Sequence, residues 1–318
     1  MMWDWIYVGL GLVILLLAGD SLVKGAVNLS LRLGVPALIV SLTIVAFGTS
    51  APELLISVQA ILDGFPGLAL GNVIGSNTAN ILLVLGVPAL LAAMHTSTCD
   101  TKSSYLQMIA ASVLFIVLCI MGPLTWVSGL ILLAALAAML FHAARAANKH
   151  RAAMKDTAVA EDEIEGADPN LGWPKIMVYL VLGLIGLPLG ASLLVDGSVN
   201  IARNFGINET VIGLTLVAIG TSLPELATTV MAALRKQADV ALGNVIGSNM
   251  FNLLGIMGVA SLVGTIPVDP ELLQFDLWVM LAASLIIVPF VFLRRDITRF
   301  VGVVLTALYV CYIVVVLA

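Results

Sequence analysis

Charged side chains are scarce in this chain: Asp, Glu, Lys and Arg make up 10% of its 318 residues, while 61% are apolar. That balance excludes a water-soluble globular domain and points to a protein that lives in a bilayer. Sulfur and imidazole are scarce as well. The three cysteines, Cys99, Cys119 and Cys311, have no metal-ligand spacing and no evident partners, so they read as small apolar fillers. The three histidines, His95, His142 and His150, fall in loops or at a span end, and none recurs elsewhere in the chain as part of a motif. No Lys or Arg precedes the first apolar run and Asp4 does, so a cleaved signal peptide is not expected.

Long apolar runs are what the chain has in abundance. Each crossing needs about 20 apolar residues to span about 30 Å of hydrocarbon. Spans are predicted at 5–23, 36–62, 68–92, 105–121, 124–144, 174–198, 208–232, 240–263, 272–293 and 299–317, with Gly122-Pro123 dividing the fourth from the fifth. With the N-terminus outside, 13 of the 14 Lys and Arg residues fall on the cytoplasmic side and only Arg203 falls outside. Such an asymmetry supports both the ten-span count and an outside location for both termini.

The polar residues that do enter the apolar runs recur. Residues 41–86 and 213–258 align without a gap at an offset of 172, with 25 of 46 positions identical. One copy reads A-F-G-T-S-A-P-E-L from Ala46 and G-N-V-I-G-S-N-T-A-N from Gly71; the other reads A-I-G-T-S-L-P-E-L from Ala218 and G-N-V-I-G-S-N-M-F-N from Gly243. Upstream, Gly25, Val27, Asn28 and Gly34 match Gly197, Val199, Asn200 and Gly206. Five spans per half is an odd number, so the second half enters the membrane inverted, the arrangement of transporters that bind substrate near mid-membrane. The expected fold is an all-α membrane protein of ten transmembrane helices in two inverted-topology five-helix repeats. Residues 1–144 and 174–318 are the repeats, joined by a cytoplasmic linker, 145–173, whose acidic stretch Glu161 to Glu165 reads as a solvated tether.

Proline inside each apolar motif frees the carbonyl four residues back, at Gly48 and Gly220, and the distortion reaches toward Ala46 and Ala218. Thr49 shares a helix face with Glu53 at i, i+4, and Ser50 lies at i, i+3; Thr221, Ser222 and Glu225 repeat the pattern. In the following helix Ser76 and Asn80, and again Ser248 and Asn252, are i, i+4, with Asn77 and Asn249 between them. A lone membrane glutamate can be a structural hydrogen-bond partner; a doubled Thr-Ser-x-Pro-Glu reads as a site. Asn77 and Asn249 are left open between interhelical bonding and ligation. Gly71 and Gly243 read as packing, and Asp20, Lys24 and Asp196 as span-end charges that snorkel to the interface. Two carboxylates amid hydroxyl, amide and carbonyl oxygens suit a hard divalent cation such as calcium. Two ionised glutamates with nothing bound would be costly in low dielectric, so protons or sodium ions should replace the calcium. Competition for one pair of carboxylates is the logic of an antiporter.

These doubled motifs resemble the two alpha-repeats of the cation/calcium exchanger superfamily, especially its bacterial sodium/calcium antiporter branch. The resemblance implies that helices two, three, seven and eight surround the ions while the first and sixth slide to alternate access. It implies export of one calcium for about three sodium ions, hence electrogenic exchange. The implied ligands are Glu53 and Glu225, the side-chain or backbone oxygens of Thr49, Ser50, Thr221 and Ser222, the carbonyls of Ala46 and Ala218, and Ser76, Asn80, Ser248 and Asn252. Some relatives carry aspartate where this chain has Asn252, which leaves potassium co-transport without its usual acid. The expectation is therefore a transporter and not an enzyme, in the inner or plasma membrane. It would move calcium and sodium, with no cofactor, no nucleic acid and no obligatory protein partner. Calcium/proton exchange is the alternative; a passive channel and an intramembrane hydrolase built on Ser50 or Ser222 are remote ones.

Overall fold

The computed structural model describes residues 2–156, 168, 171–206 and 218–317. Among the described residues, eight helices are long and apolar enough to cross a membrane, and a broken pair bent by 42° makes up to nine. In chain order these are α1 (Met2–Leu33), α2 (the arms Ala37–Thr49 and Ala51–Leu62), α3 (Pro66–Leu91), α4 (Lys102–Ile120) and α5 (Trp126–His150). After the linker come α6 (Trp173–Asn204), the shorter apolar α7 (Leu223–Leu234), α8 (Ala238–Val263), α9 (Leu272–Phe292) and α10 (Arg299–Val316). The start of the expected span 208–232, the first residues of the second motif and the acidic stretch of the linker lie outside the described residues. The chain is thus an all-helical membrane protein.

Three helices run well past their predicted ends: α1, α5, which continues to Asp156, and α6. The predicted first span stops at residue 23, yet the helix continues to Leu33, because Asp20 and Lys24 are paired and need not reach water. Lys24 Nζ lies 2.9 Å from Asp20 Oδ2, and the Arg235 guanidinium at the end of α7 pairs with the other carboxylate oxygen. Charge is neutralised within the bundle, where the sequence pattern suggests snorkelling. The stop comes at Gly34 (φ 65°) before Pro36, and α6 ends in the same way before Gly206 (φ 76°), the position 172 residues on. A left-handed residue there costs glycine nothing.

α1 and α6 pack along their length as an antiparallel pair. A Cβ on Gly11 would sit 2.6 Å from the backbone nitrogen of Leu194, and one on Gly183 would meet Leu22 Cβ at 2.6 Å. These two contacts exchange under the 172-residue offset. So do Gly25 against Leu180 and Gly197 against Val8. Small residues therefore let the backbones approach on both sides of a local twofold axis. This pair, with parts of α2 and α7, encloses its own apolar cluster, including Leu15, Leu22, Val45, Ile176, Leu180 and Ala227. The larger cluster binds α3, α4, α5, α8, α9 and α10. Within it α3 and α8 are central: 78% and 83% of their most apolar stretches are buried, against 17–44% for the other spanning helices.

Loop contacts order the bundle's ends. Arg299 donates to Leu91 O, Thr96 to Arg295 O, and Lys102 lies over the Phe292 ring, so the α3–α4 and α9–α10 connections share one end. Leu124 pairs with Ile266 at the connections α4–α5 and α8–α9.

Candidate cation site

Pro52 and Pro224 fall in the first turn of the helices that begin at Ala51 and Leu223. There the missing N–H costs nothing, because first-turn donors have no partner within the helix. The residue before each restart has the same conformation in both halves: Ser50 at φ −87°, ψ 5° and Ser222 at φ −88°, ψ 4°. The break turns the middle of an apolar run into a helix N-terminus. Glu53 and Glu225 occupy that first turn, where the helix dipole favours negative charge. Both are only 1% exposed.

Glu225 is held by both halves of the chain. Ser50 Oγ donates to its Oε1 at 2.9 Å and Ser248 Oγ lies 3.4 Å from the same atom. Thr49 Oγ1 donates to Asn244 Oδ1 (3.2 Å) and contacts Ser248 Oγ (3.4 Å). Ser50 lies three residues before Glu53, so its bond to Glu225 brings the two motifs together in the interior. The sequence pairs them symmetrically, but the contacts are one-sided. Ser50 reaches Glu225, whereas Ser222 Oγ and Glu53 Oε2 have no hydrogen-bond partner among the described residues.

The asparagines of α3 and α8 meet across the local axis. Asn80 Nδ2 donates to Asn249 Oδ1 at 3.0 Å, and Asn252 Nδ2 donates to Asn77 Oδ1, also at 3.0 Å. Asn77 Nδ2 donates to Asn249 O (3.2 Å), and Asn249 Nδ2 returns to Asn77 O (3.4 Å). Each half also widens its helix here. Val84 N–H reaches five residues back to Ala79 O (2.9 Å), and Phe251–Ile256 is a π-helix at the equivalent place. Such bulges frequently mark functional sites.

Six buried side-chain oxygens have no hydrogen-bond partner among the described residues. Five belong to Glu53, Glu225, Ser222, Asn80 and Asn252; the sixth is Thr306 Oγ1. Each of those five residues was singled out by the doubled motif. Thr49, Ser50, Thr221, Ser76 and Ser248 are buried as well, at 8% exposure or less. Ala46 is fully buried, and its carbonyl accepts Ser50 N–H (3.1 Å) and Thr49 Oγ1 (3.3 Å). Ala218 opens the short helical turn Ala218–Thr221 ahead of α7. Gly243 and Gly247 pack on Leu38, Leu42 and Ala46 of α2 as expected, while Gly71 meets nothing within 4 Å among the described residues.

The motif reading missed one pair. Asn244 Nδ2 donates to Glu225 O (3.3 Å) and Thr229 Oγ1 (3.1 Å), and Thr229 Oγ1 donates to Glu225 O (2.7 Å). Asn72 Nδ2 donates to Ser57 Oγ (3.2 Å) in the other half, the same contact 172 residues earlier. The signal was available in the Gly-Asn that opens each G-N-V-I-G-S-N.

Among the described residues no group of three His, Cys, Asp or Glu could hold a metal. The site instead gathers two carboxylates, hydroxyls and amide oxygens, all hard donors, where two halves of a membrane bundle meet. Such a donor set suits a hard cation. The family model described as "Sodium/calcium exchanger protein" matches residues 3–144 and 175–318. The chain is 36% identical to the sodium/calcium exchanger MaX1 of Methanosarcina acetivorans, covering 96% of each chain. It is 32% identical to the inner membrane protein YrbG of Escherichia coli, covering 95% of this chain and 93% of that one. Among solved structures it is similar to the sodium-calcium exchanger NCX_Mj soaked with zero Na+ and Ca2+, with 32% identity, 98% of each chain covered and a TM-score of 0.79. The same exchanger soaked with 2.5 mM Na+ and 10 mM Sr2+ gives 0.81. The chain belongs to the sodium/calcium exchanger family, within the cation/calcium exchanger superfamily, and is a cation/calcium antiporter.

Proposed function

We propose that this antiporter exports calcium in exchange for sodium entering down its gradient, by alternating access about the Glu53–Glu225 site. The observation that carries the reading is the set of five unpartnered oxygens on motif residues. Leaving a buried acceptor unpaired costs about 1–3 kcal/mol, so five together weigh on the order of 5–15 kcal/mol, comparable to a whole domain's stability. A cation coordinated by them offsets that cost. Calcium neutralises the two carboxylates; three sodium ions in the same cage leave one net positive charge, so the exchange is electrogenic. Glu53 and Glu225 are the shared ligands, with Thr49, Ser50, Thr221, Ser222, Ser76, Asn80, Ser248, Asn252 and the Ala46 and Ala218 carbonyls around them.

The same reading takes the fold as ten helices in two inverted repeats, 1–144 and 174–318. The reciprocal contacts of α1 with α6 and of Asn77 and Asn80 with Asn249 and Asn252 support it. The Arg- and Lys-bearing end is cytoplasmic, both termini are outside, and the membrane is the inner or plasma membrane. α1 and α6, packed on an apolar cluster apart from the larger one, are the elements that slide. Purified protein in proteoliposomes tests the coupling. Calcium uptake should follow an imposed sodium gradient, respond to membrane potential and vanish in Glu53→Gln and Glu225→Gln. Uptake driven by a pH gradient alone overturns the sodium coupling in favour of calcium/proton exchange.

A further inference from the structure

We infer that Asn77 and Asn249 are positioning residues that aim the side-chain oxygens of Asn252 and Asn80 into the cation site from across the repeat interface. The inference rests on the proposed cation site and adds to it a pair of residues that do not themselves bind the ion. An asparagine side chain has one acceptor end and one donor end, and which end faces an ion decides whether it is a ligand at all. Here both donor ends of the ligand pair are taken by the opposite repeat. Asn252 Nδ2 is held by Asn77 Oδ1, and Asn80 Nδ2 by Asn249 Oδ1, each at 3.0 Å. The remaining oxygens, Asn252 Oδ1 and Asn80 Oδ1, are buried with no partner among the described residues.

Asn77 and Asn249 are each committed at both ends of the side chain. Their side-chain oxygens accept these amides, and their own Nδ2 groups donate to each other's backbone carbonyls at 3.2 and 3.4 Å. They stand behind the ligands.

A double-mutant cycle on calcium uptake in proteoliposomes tests the assignment, with the Glu53→Gln loss confirming separately that the cage itself transports. Residues that orient a ligand typically change metal affinity by about 10–100-fold. Asn77→Ala should raise the apparent KM for calcium about tenfold, as should Asn252→Ala, with the effect falling on KM and not on maximal rate. The double variant should be no worse than either single one, because Asn77 acts through Asn252. Asn77→Ala combined with Asn80→Ala, which sit in different pairs, should approach about a hundredfold. Should Asn77→Ala fail to fold, Asn77→Ser and the equivalent cycle of Asn249→Ser with Asn80→Ala give the same reading. Additive effects in the paired cycle, an unchanged KM, or loss of fold in all three variants assigns the asparagines to structure alone and overturns the inference. Wild-type protein that moves no calcium would instead sink the underlying site.

Discussion

The α1/α6 crossing offers a sharp test of the local twofold. In Gly11→Ala the new Cβ would lie 2.6 Å from Leu194 N and 2.7 Å from Gly190 O. Both are backbone atoms that no rotamer change can move, and the first contact falls 0.8 Å short of the 3.4 Å at which ordinary packing begins. The helices must part by about that distance. A gap of that size forfeits roughly a quarter to a half of each neighbouring dispersion contact, and overpacking of this kind costs about 1–3 kcal/mol. At roughly 2–4 °C per kcal/mol for a chain of this order, the midpoint of thermal unfolding in detergent should fall by about 2–12 °C. Gly183→Ala should match it, since its Cβ would meet Leu22 at 2.6 Å for the Cβ and 2.9 Å for the backbone. Gly9→Ala, with nothing within 4 Å, should leave the midpoint where it was. None of the three glycines touches the cation site, so calcium affinity should hold while α1 and α6 loosen. Equal behaviour of Gly11→Ala and Gly9→Ala, or a clear difference between Gly11→Ala and Gly183→Ala, would refute the reciprocal packing.

Other outcomes follow from the site and its surroundings. Asn244→Ala removes the bonds to Glu225 O and Thr229 and the acceptor for Thr49, so calcium affinity should drop about tenfold in isothermal titration, with Asn72→Ala much milder. Ser50→Ala should weaken sodium-driven calcium uptake more than Ser222→Ala, because only Ser50 bonds a carboxylate; the reverse order would break the assignment. Arg235→Gln leaves Asp20 with Lys24 alone and unties α1 from the end of α7. A changed ratio of calcium affinities measured from the two faces of the membrane would register it, and an unaltered ratio would count against a role for the pair.

Much of the site was legible because the chemistry is encoded in residue type and spacing. Glu53, Glu225, Asn80 and Asn252 stand out as polar atoms that recur in an apolar background. All four, together with Ser222, proved to carry unpartnered oxygens. The helical run of α1 was misread because apolarity ends at Asp20, whereas the ion pair that lets the helix go on comes from Arg235, 215 residues away. Asn72 and Asn244 were quoted within the motif yet assigned nothing, since their partners Ser57 and Thr229 lie a turn beyond the stretch that is identical in both halves. The choice for Asn77 and Asn249 between bonding and ligation needed the direction of each amide, which no spacing encodes. The one-sided contacts of Glu225 were likewise invisible, because two near-identical segments give no reason for one serine to bond and its counterpart to stand free.

The Asp20–Lys24–Arg235 cluster carries a consequence for a machine built on near-duplicate halves. Moving 172 positions along or back from its three members gives Ser192, Asp196 and Asp63. Two acids and a hydroxyl cannot reproduce an attraction between one acid and two bases; Asp196 turns to Ser192 and Asp63 to Gln59. The duplicated scaffold therefore carries an ion pair between helices at one place and only local hydrogen bonds at its counterparts. Were these helices to part during exchange, the two halves would break unlike contacts, an interhelical ion pair in one and a hydrogen bond within a single helix in the other.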